Sequence, residues 1–173
     1  MTKQELAKRI KQVAELSGSF VLRSGEYSDR YFDKYLFESE PVILSSIGEH
    51  LKELVPENID ILCGLELGGI PIVTILSQAV SLPAAFIRKA PKKYGTCKYA
   101  EGPDLPGKSL LLVEDVVSSG GAIIDAVRMM RVDGCKVEQA VCVIDRRKPK
   151  DSRLADEGIE LKALFTSSDL EFV

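Results

Sequence analysis

The spacing of apolar positions changes from one segment of the chain to the next, and that change predicts its elements. Leu6, Ile10 and Val13 recur at helical spacing behind a Thr2/Glu5 capping box, an amphipathic helix that the pattern ends at Ser17-Gly18. A short strand around Phe20 then runs into a turn and a stretch up to Phe37 that is dense in aromatic and charged residues. Ile43, Ile47, Leu51 and Leu54 share one face of a helix over 39–54, with Pro41 in its first turn. Strands are predicted over 59–63, 84–87, 110–113, 137–144 and 159–165. The continuous apolar run 110–113 is of the kind found in parallel strands buried on both faces. Between the strands lie helices over 70–80, over the segment carrying Ile123, Ile124, Val127 and Met130 until Gly134 ends it, and a short one up to Glu157; a polar turn closes the chain. This order predicts an α/β fold, a mostly parallel twisted sheet flanked by helices, with a small N-terminal hood over about residues 1–37, all within a single domain 1–173.

The residues at the strand ends are not those of ordinary turns. After 110–113 come Glu114 and Asp115, then Val116, Val117 and Ser118-Ser119-Gly120-Gly121-Ala122, which opens the next helix. A helix start presents unpaired N–H groups and the positive end of the dipole, glycines let the backbone approach closely, and hydroxyls donate, so the turn suits a phosphate. A phosphate would repel the two carboxylates, which therefore belong with sugar hydroxyls or a divalent ion; together the halves describe a sugar-phosphate site. The bland alternative is a capped helix with two solvated acids. Gly64-Leu65-Glu66-Leu67-Gly68-Gly69-Ile70-Pro71, after strand 59–63, reads equally as a second anion nest or as a tight turn packing helix on strand. No Walker A loop and no GxGxxG fingerprint occurs.

Charge adds a third feature. The chain has 23 basic and 26 acidic side chains, net −3, which gives no general attraction to nucleic acid or anionic membranes. Five of the basic residues, Arg88, Lys89, Lys92, Lys93 and Lys98, fall in an acid-free stretch, leaving 18 basic against 26 acidic elsewhere. Pro91, Gly95 and Gly102 punctuate that stretch as a long loop placed beside the anion sites. A solvated basic loop is the plain alternative. Tyr27, Tyr31, Phe32 and Tyr35 offer either a stacking wall for a flat ring or a small cluster covering the sheet. Cys63, Cys97, Cys135 and Cys142 lack metal-site spacing with the single His50 and read as reduced, mostly buried thiols; His50 itself reads as structural or exposed. With 45% apolar residues, no signal-peptide core and no apolar run of membrane-spanning length, the chain reads as cytoplasmic.

The segment VEDVVSSGGA closely resembles the phosphoribosyl-pyrophosphate motif of type I phosphoribosyltransferases. Further segments resemble orotate phosphoribosyltransferases: Leu22-Arg23-Ser24-Gly25 with Ser28 and Tyr31-Phe32-Asp33, where Arg23 replaces the usual lysine; the loop 64–71; the basic loop with Glu101-Gly102; and Asp145-Arg146. The resemblance implies transfer of a phosphoribosyl group from phosphoribosyl pyrophosphate to orotate, giving orotidine 5′-monophosphate and pyrophosphate in pyrimidine (UMP) synthesis. It implies Lys92, Glu114 and Asp115 as catalytic. It assigns phosphoribosyl pyrophosphate to Arg23, Glu66, Gly68, Gly69, Arg88, Lys89, Lys92, Tyr94, Glu114, Asp115 and residues 116–122. Tyr94 stands where many members have histidine. Orotate falls to Ser118, Arg146, Tyr31 and Phe32, whereas Arg147, Lys148 and Lys150 read as a solvated basic turn. Mg²⁺ is implied, carried mainly by the substrate near Asp115 rather than held directly by side chains, and so is a homodimer in which the basic loop reaches the neighbouring site. A phosphoribosyltransferase for another base, and a non-catalytic regulator that binds phosphoribosyl pyrophosphate, are the alternatives.

Overall fold

In the computed structural model, which describes residues 1–21, 25–95 and 98–171, six strands form one sheet in the order β5-β4-β3-β6-β7-β8. These are β3 (Ile61–Leu65), β4 (Ala84–Ile87), β5 (Ala100–Glu101), β6 (Ser109–Val117), β7 (Lys136–Asp145) and β8 (Glu160–Thr166). All neighbours run parallel except β4 and β5. Alternate residues of β3 and β6 feed two separate cores, which is why those strands read as unbroken apolar runs. On one face Leu62, Leu111 and Val113 meet helices α1 (Lys3–Ala14), α3 (Pro41–Leu51) and α4 (Gly69–Val80) through Ile10, Ile47 and Leu76. On the other, Cys63, Leu110 and Leu112 meet α5 (Gly121–Val132) and α6 (Arg153–Asp156) through Ile123, Val127 and Leu154.

The N-terminal hood departs most from the pattern. The capping box is present, but α1 stops at Ala14, and Ser17-Gly18 lie within a strand, β1 (Glu15–Val21), antiparallel to β2 (Tyr27–Phe32). Burial of Leu6, Ala7, Ile10 and Ala14 ends the helical stripe there, and pairing of Glu15 with Phe32 outweighs the helical spacing of Val13. A five-residue helix, α2 (Lys34–Glu38), capped by Asp33, follows where only an aromatic segment is read from sequence. It drives Phe37 fully into the core, its ring 6.2 Å from that of Phe32. The third helix takes Glu40 rather than Ser39 as its cap, because the Glu40 carboxylate accepts from the Ile43 N–H at 2.8 Å. Residues 167–171 form a last short helix, α7, in place of a polar turn. Cys63, Cys135 and Cys142 are buried free thiols, and burial pushes Cys63 up to about 12, so it stays protonated; Cys97 lies outside the described residues. His50 Nε2 donates to the Met1 carbonyl at 3.0 Å, a terminal tie away from the strand ends that carry the chemistry.

Candidate active site

The parallel register brings the C-terminal ends of β3, β4, β6 and β7 to one edge, where ligands of open α/β sheets bind. Leu65 pairs with Ile87 and Val117 with Asp145. Residues 66–69, 88–89, 118–122 and 146 therefore emerge together. A cavity of about 530 Å³ opens there, lined by Glu66, Arg88, Lys89, Ser119, Gly121 and Ala122 among others. Thus six of the residues assigned to phosphoribosyl pyrophosphate converge on one space. A larger cavity, about 780 Å³, opens at the opposite edge beside Ser109 and Lys136, and Lys136 is its only basic lining residue.

Each wall has a local cause. Gly120 adopts φ +73°, and a methyl group there would sit 3.0 Å from Leu154. The turn therefore closes tightly onto α6 while Ser118 and Ser119 remain exposed at the start of α5. The loop after β3 is held differently. The Glu66–Leu67 peptide is cis, Glu66 N–H donates to Ile87 at 2.8 Å, and the Glu66 carboxylate accepts from Lys89 N–H at 2.7 Å. Glu66 is thereby a strut between two walls. The packing reading of the glycine cluster holds. A methyl group on Gly69 would lie 2.6 Å from the Val113 carbonyl, and one on Gly64 2.5 Å from the Gly69 carbonyl, so these glycines seat α4 on the sheet while α4 opens beside the cavity.

The acid pair lies inside β6 rather than beyond its end, and neither acid lines the cavity. Asp115 is fully buried, its Oδ2 2.5 Å from the Lys34 ammonium of α2. Glu114 is half-buried; burial first, then repulsion from Asp115, push it up to about 8. Behind them Glu38 of α2 is 4% exposed, with both carboxyl oxygens buried. Burial first, then repulsion from Asp115, raise Glu38 far above the carboxylate range, so it carries a proton at neutral pH. Burial works against the charge of Lys34, but Asp115 and Glu114 outweigh it and hold the ammonium protonated.

The basic loop folds back on Glu101. Lys92 pairs with it directly, Arg88 Nη1 lies 3.5 Å away, and the Lys92 contact holds Glu101 below the usual carboxylate range. Lys92 therefore sits off the cavity here, and Tyr94 is 73% exposed. Arg146, Tyr31 and Phe32 line a separate cavity of about 570 Å³ under the hood, with the Arg146 guanidinium 5.5 Å from the Phe32 ring centre. Tyr31 packs on Phe20 at 5.4 Å, so the aromatic stretch serves both as cover for the hood and as wall. Arg147 is not a solvated turn residue: its fork grips Asp145 through Nε at 3.0 Å and Nη2 at 2.8 Å, half-buried. Arg23 lies outside the described residues. Sequence reasoning missed Lys34, Glu38 and the Glu101 latch. For the first two the available signal was the i, i+4 spacing of a cation and an acid on either side of a buried Phe37.

A profile of the phosphoribosyl transferase domain matches residues 39–162. Orotate phosphoribosyltransferase of Nocardioides sp. is 46% identical over 166 residues, covering 96% of this chain and 93% of that one. The enzyme of the same name from Methanocella arvoryzae is 38% identical, covering 96% and 95%. The crystal structure of Mycobacterium tuberculosis orotate phosphoribosyltransferase superposes with a TM-score of 0.86 at 27% identity, covering 97% of this chain and 98% of that one. With identity of this order running through both partners almost end to end, the chain belongs to the orotate phosphoribosyltransferases, a family built on the phosphoribosyl transferase domain.

Proposed function

We propose that the chain transfers the phosphoribosyl group of phosphoribosyl pyrophosphate to orotate, releasing pyrophosphate and forming orotidine 5′-monophosphate in pyrimidine synthesis. The observation that carries this reading is the single cavity into which Ser119, Gly121 and Ala122 face from one side and Glu66, Arg88 and Lys89 from the other. A ligand with a phosphate at each end of a sugar fits that separation of donors. In the reaction the C1′–O bond to pyrophosphate breaks and its electron pair leaves with the pyrophosphate; N1 of the base bonds C1′ and its proton passes to the departing pyrophosphate. The sugar passes through a cationic state, so the protein's task is electrostatic. Residues 118–122 hold the 5′-phosphate, Arg88 and Lys89 face the departing pyrophosphate, and Glu114 takes the ribose hydroxyls. Lys92 joins when the loop leaves Glu101 and closes, which excludes water. Arg146, raised on Phe32 and exposed, offers a planar fork to the orotate carboxylate.

Mg²⁺ belongs to this reading as an ion that would arrive mainly with the substrate, near Asp115, and would offset the negative charge of the leaving group. Among the described residues no three His, Cys, Asp or Glu side chains form a metal cage, and Asp115 is occupied by Lys34. The reading includes a homodimer whose basic loops reach across to the neighbouring site, and a cytoplasmic setting in keeping with the buried free thiols. Among the described residues no helix is long and apolar enough to cross a membrane. Incubation with phosphoribosyl pyrophosphate, Mg²⁺ and orotate, uracil or hypoxanthine in turn tests the reaction. Loss of orotate absorbance with release of pyrophosphate is expected for orotate alone. Turnover of uracil only would overturn the reading, and ligand binding without pyrophosphate release would point to a regulator.

A further inference from the structure

Glu38 and Lys34 have no role in the chemistry just described, yet both converge on Asp115. They stand one turn apart on α2, so they share a face, and Phe37 anchors that helix in the core. Lys34 places its ammonium 2.5 Å from Asp115 Oδ2, and Glu38, one turn further along α2, buries both its carboxyl oxygens without a hydrogen-bond partner among the described residues, as Asp115 Oδ2 is also buried. On its far side Asp115 presses on the loop after β3: a methyl group on Gly68 would fall 1.8 Å from Oδ2 and 2.9 Å from the Lys34 nitrogen. The Asp115 carboxylate is thus a wedge between β6, which leads into residues 118–122, and residues 66–69. An ion wedged without partners in such a place would move or take up a proton, because a lone buried charge is strongly disfavoured.

We propose that Glu38, together with Lys34, is a positioning residue that fixes Asp115 and thereby sets the spacing between the two anion-binding loops. The inference rests on the reading that one substrate spans both loops. It predicts a specific fault. When the spacing is loosened, a ligand that must touch both loops at once loses the advantage of two-point anchoring, while ligands that need only one loop keep their affinity.

Calorimetric titration of Glu38→Leu and Glu38→Gln with phosphoribosyl pyrophosphate, ribose 5-phosphate and pyrophosphate separates these cases. Glu38→Leu, which cannot hydrogen-bond, is expected to weaken phosphoribosyl pyrophosphate by about tenfold or more while ribose 5-phosphate and pyrophosphate stay within about twofold. Glu38→Gln keeps a donor and is expected to stay within about threefold for all three. Equal weakening of all three ligands by Glu38→Leu, no change for phosphoribosyl pyrophosphate, or a Gln variant as impaired as the Leu variant would each overturn the inference. Should Glu38→Leu not fold, Lys34→Met, at a partly exposed position, is judged by the same three affinities and is expected to show the Leu pattern. Wild-type protein that fails to bind phosphoribosyl pyrophosphate at all would instead overturn the underlying reading of the site.

Discussion

Among single residues, Glu38 and Arg146 make opposite use of their surroundings. Glu38 has a pKa far above its unfolded value near 4.5, so the native state binds its proton more tightly than the unfolded chain does. Its stabilising contribution is complete below about pH 4.5 and is lost progressively as pH rises through neutrality towards the native pKa. Glu114, raised to about 8, adds to the same slope. Urea unfolding at pH 6 and pH 8.5 is therefore expected to show stability falling with pH, and Glu38→Gln, which has no proton to lose, to fall less steeply; an unchanged slope in the variant would argue against a protonated Glu38. Arg146 is instead exposed and stacked on Phe32, with the Arg147–Asp145 clamp fixing the turn beside it. Arg146→Lys keeps the charge but loses the fork. An increase of about tenfold or more in KM for orotate, with KM for phosphoribosyl pyrophosphate within about twofold, is the expected kinetic result.

Elements, rather than residues, set where the proposed phosphates go, and the start of α5 is one of them. Gly120→Ala places a methyl group 3.0 Å from Leu154 at φ +73°. It is expected to cost about 1–2 kcal/mol in urea unfolding and to weaken phosphoribosyl pyrophosphate binding in parallel. The central elements were legible in the sequence because burial on both faces leaves few alternatives. β4 falls at 84–87 as its apolar run predicts, and β6 extends the run 110–113 to take in Ser109, both acids, Val116 and Val117. The hood was legible only in outline. Helical spacing through Val13 and the Ser17-Gly18 pair point to a longer first helix, but cross-strand pairing of Glu15 and Leu16 with Phe32 and Tyr31 decides the outcome. That pairing is a long-range choice invisible to local periodicity. The same limit hid Lys34 and Glu38, whose meaning depends on Asp115 some eighty residues later, and the Glu101 latch, which forms only when the basic loop doubles back.

At the scale of the molecule, the basic loop is the part whose position in this structure does not match its proposed task. Lys92 is paired with Glu101 and lies off the cavity, while Arg88 and Lys89 remain at its wall. In the proposed reaction Glu101 competes with the pyrophosphate for the lysine, and a leaving group of several negative charges in a closed site attracts it more strongly than a half-exposed carboxylate does. If the loop serves its own chain, a protein lacking Lys92 and another lacking Arg146 have no route to share activity. If it serves a neighbour, as the proposed homodimer requires, each mixed dimer of Lys92→Ala and Arg146→Ala has one site with both defects and one with neither. Random exchange makes about half of all dimers mixed, so about a quarter of wild-type turnover is expected to return from two nearly inactive parents. Refolding the two variants together from denaturant, with each refolded alone as the control, measures it. No recovery in a mixture shown to contain mixed dimers would confine each loop to its own chain, and would move the search for the group that covers the pyrophosphate to Arg88, Lys89 and the 66–69 loop of the same subunit.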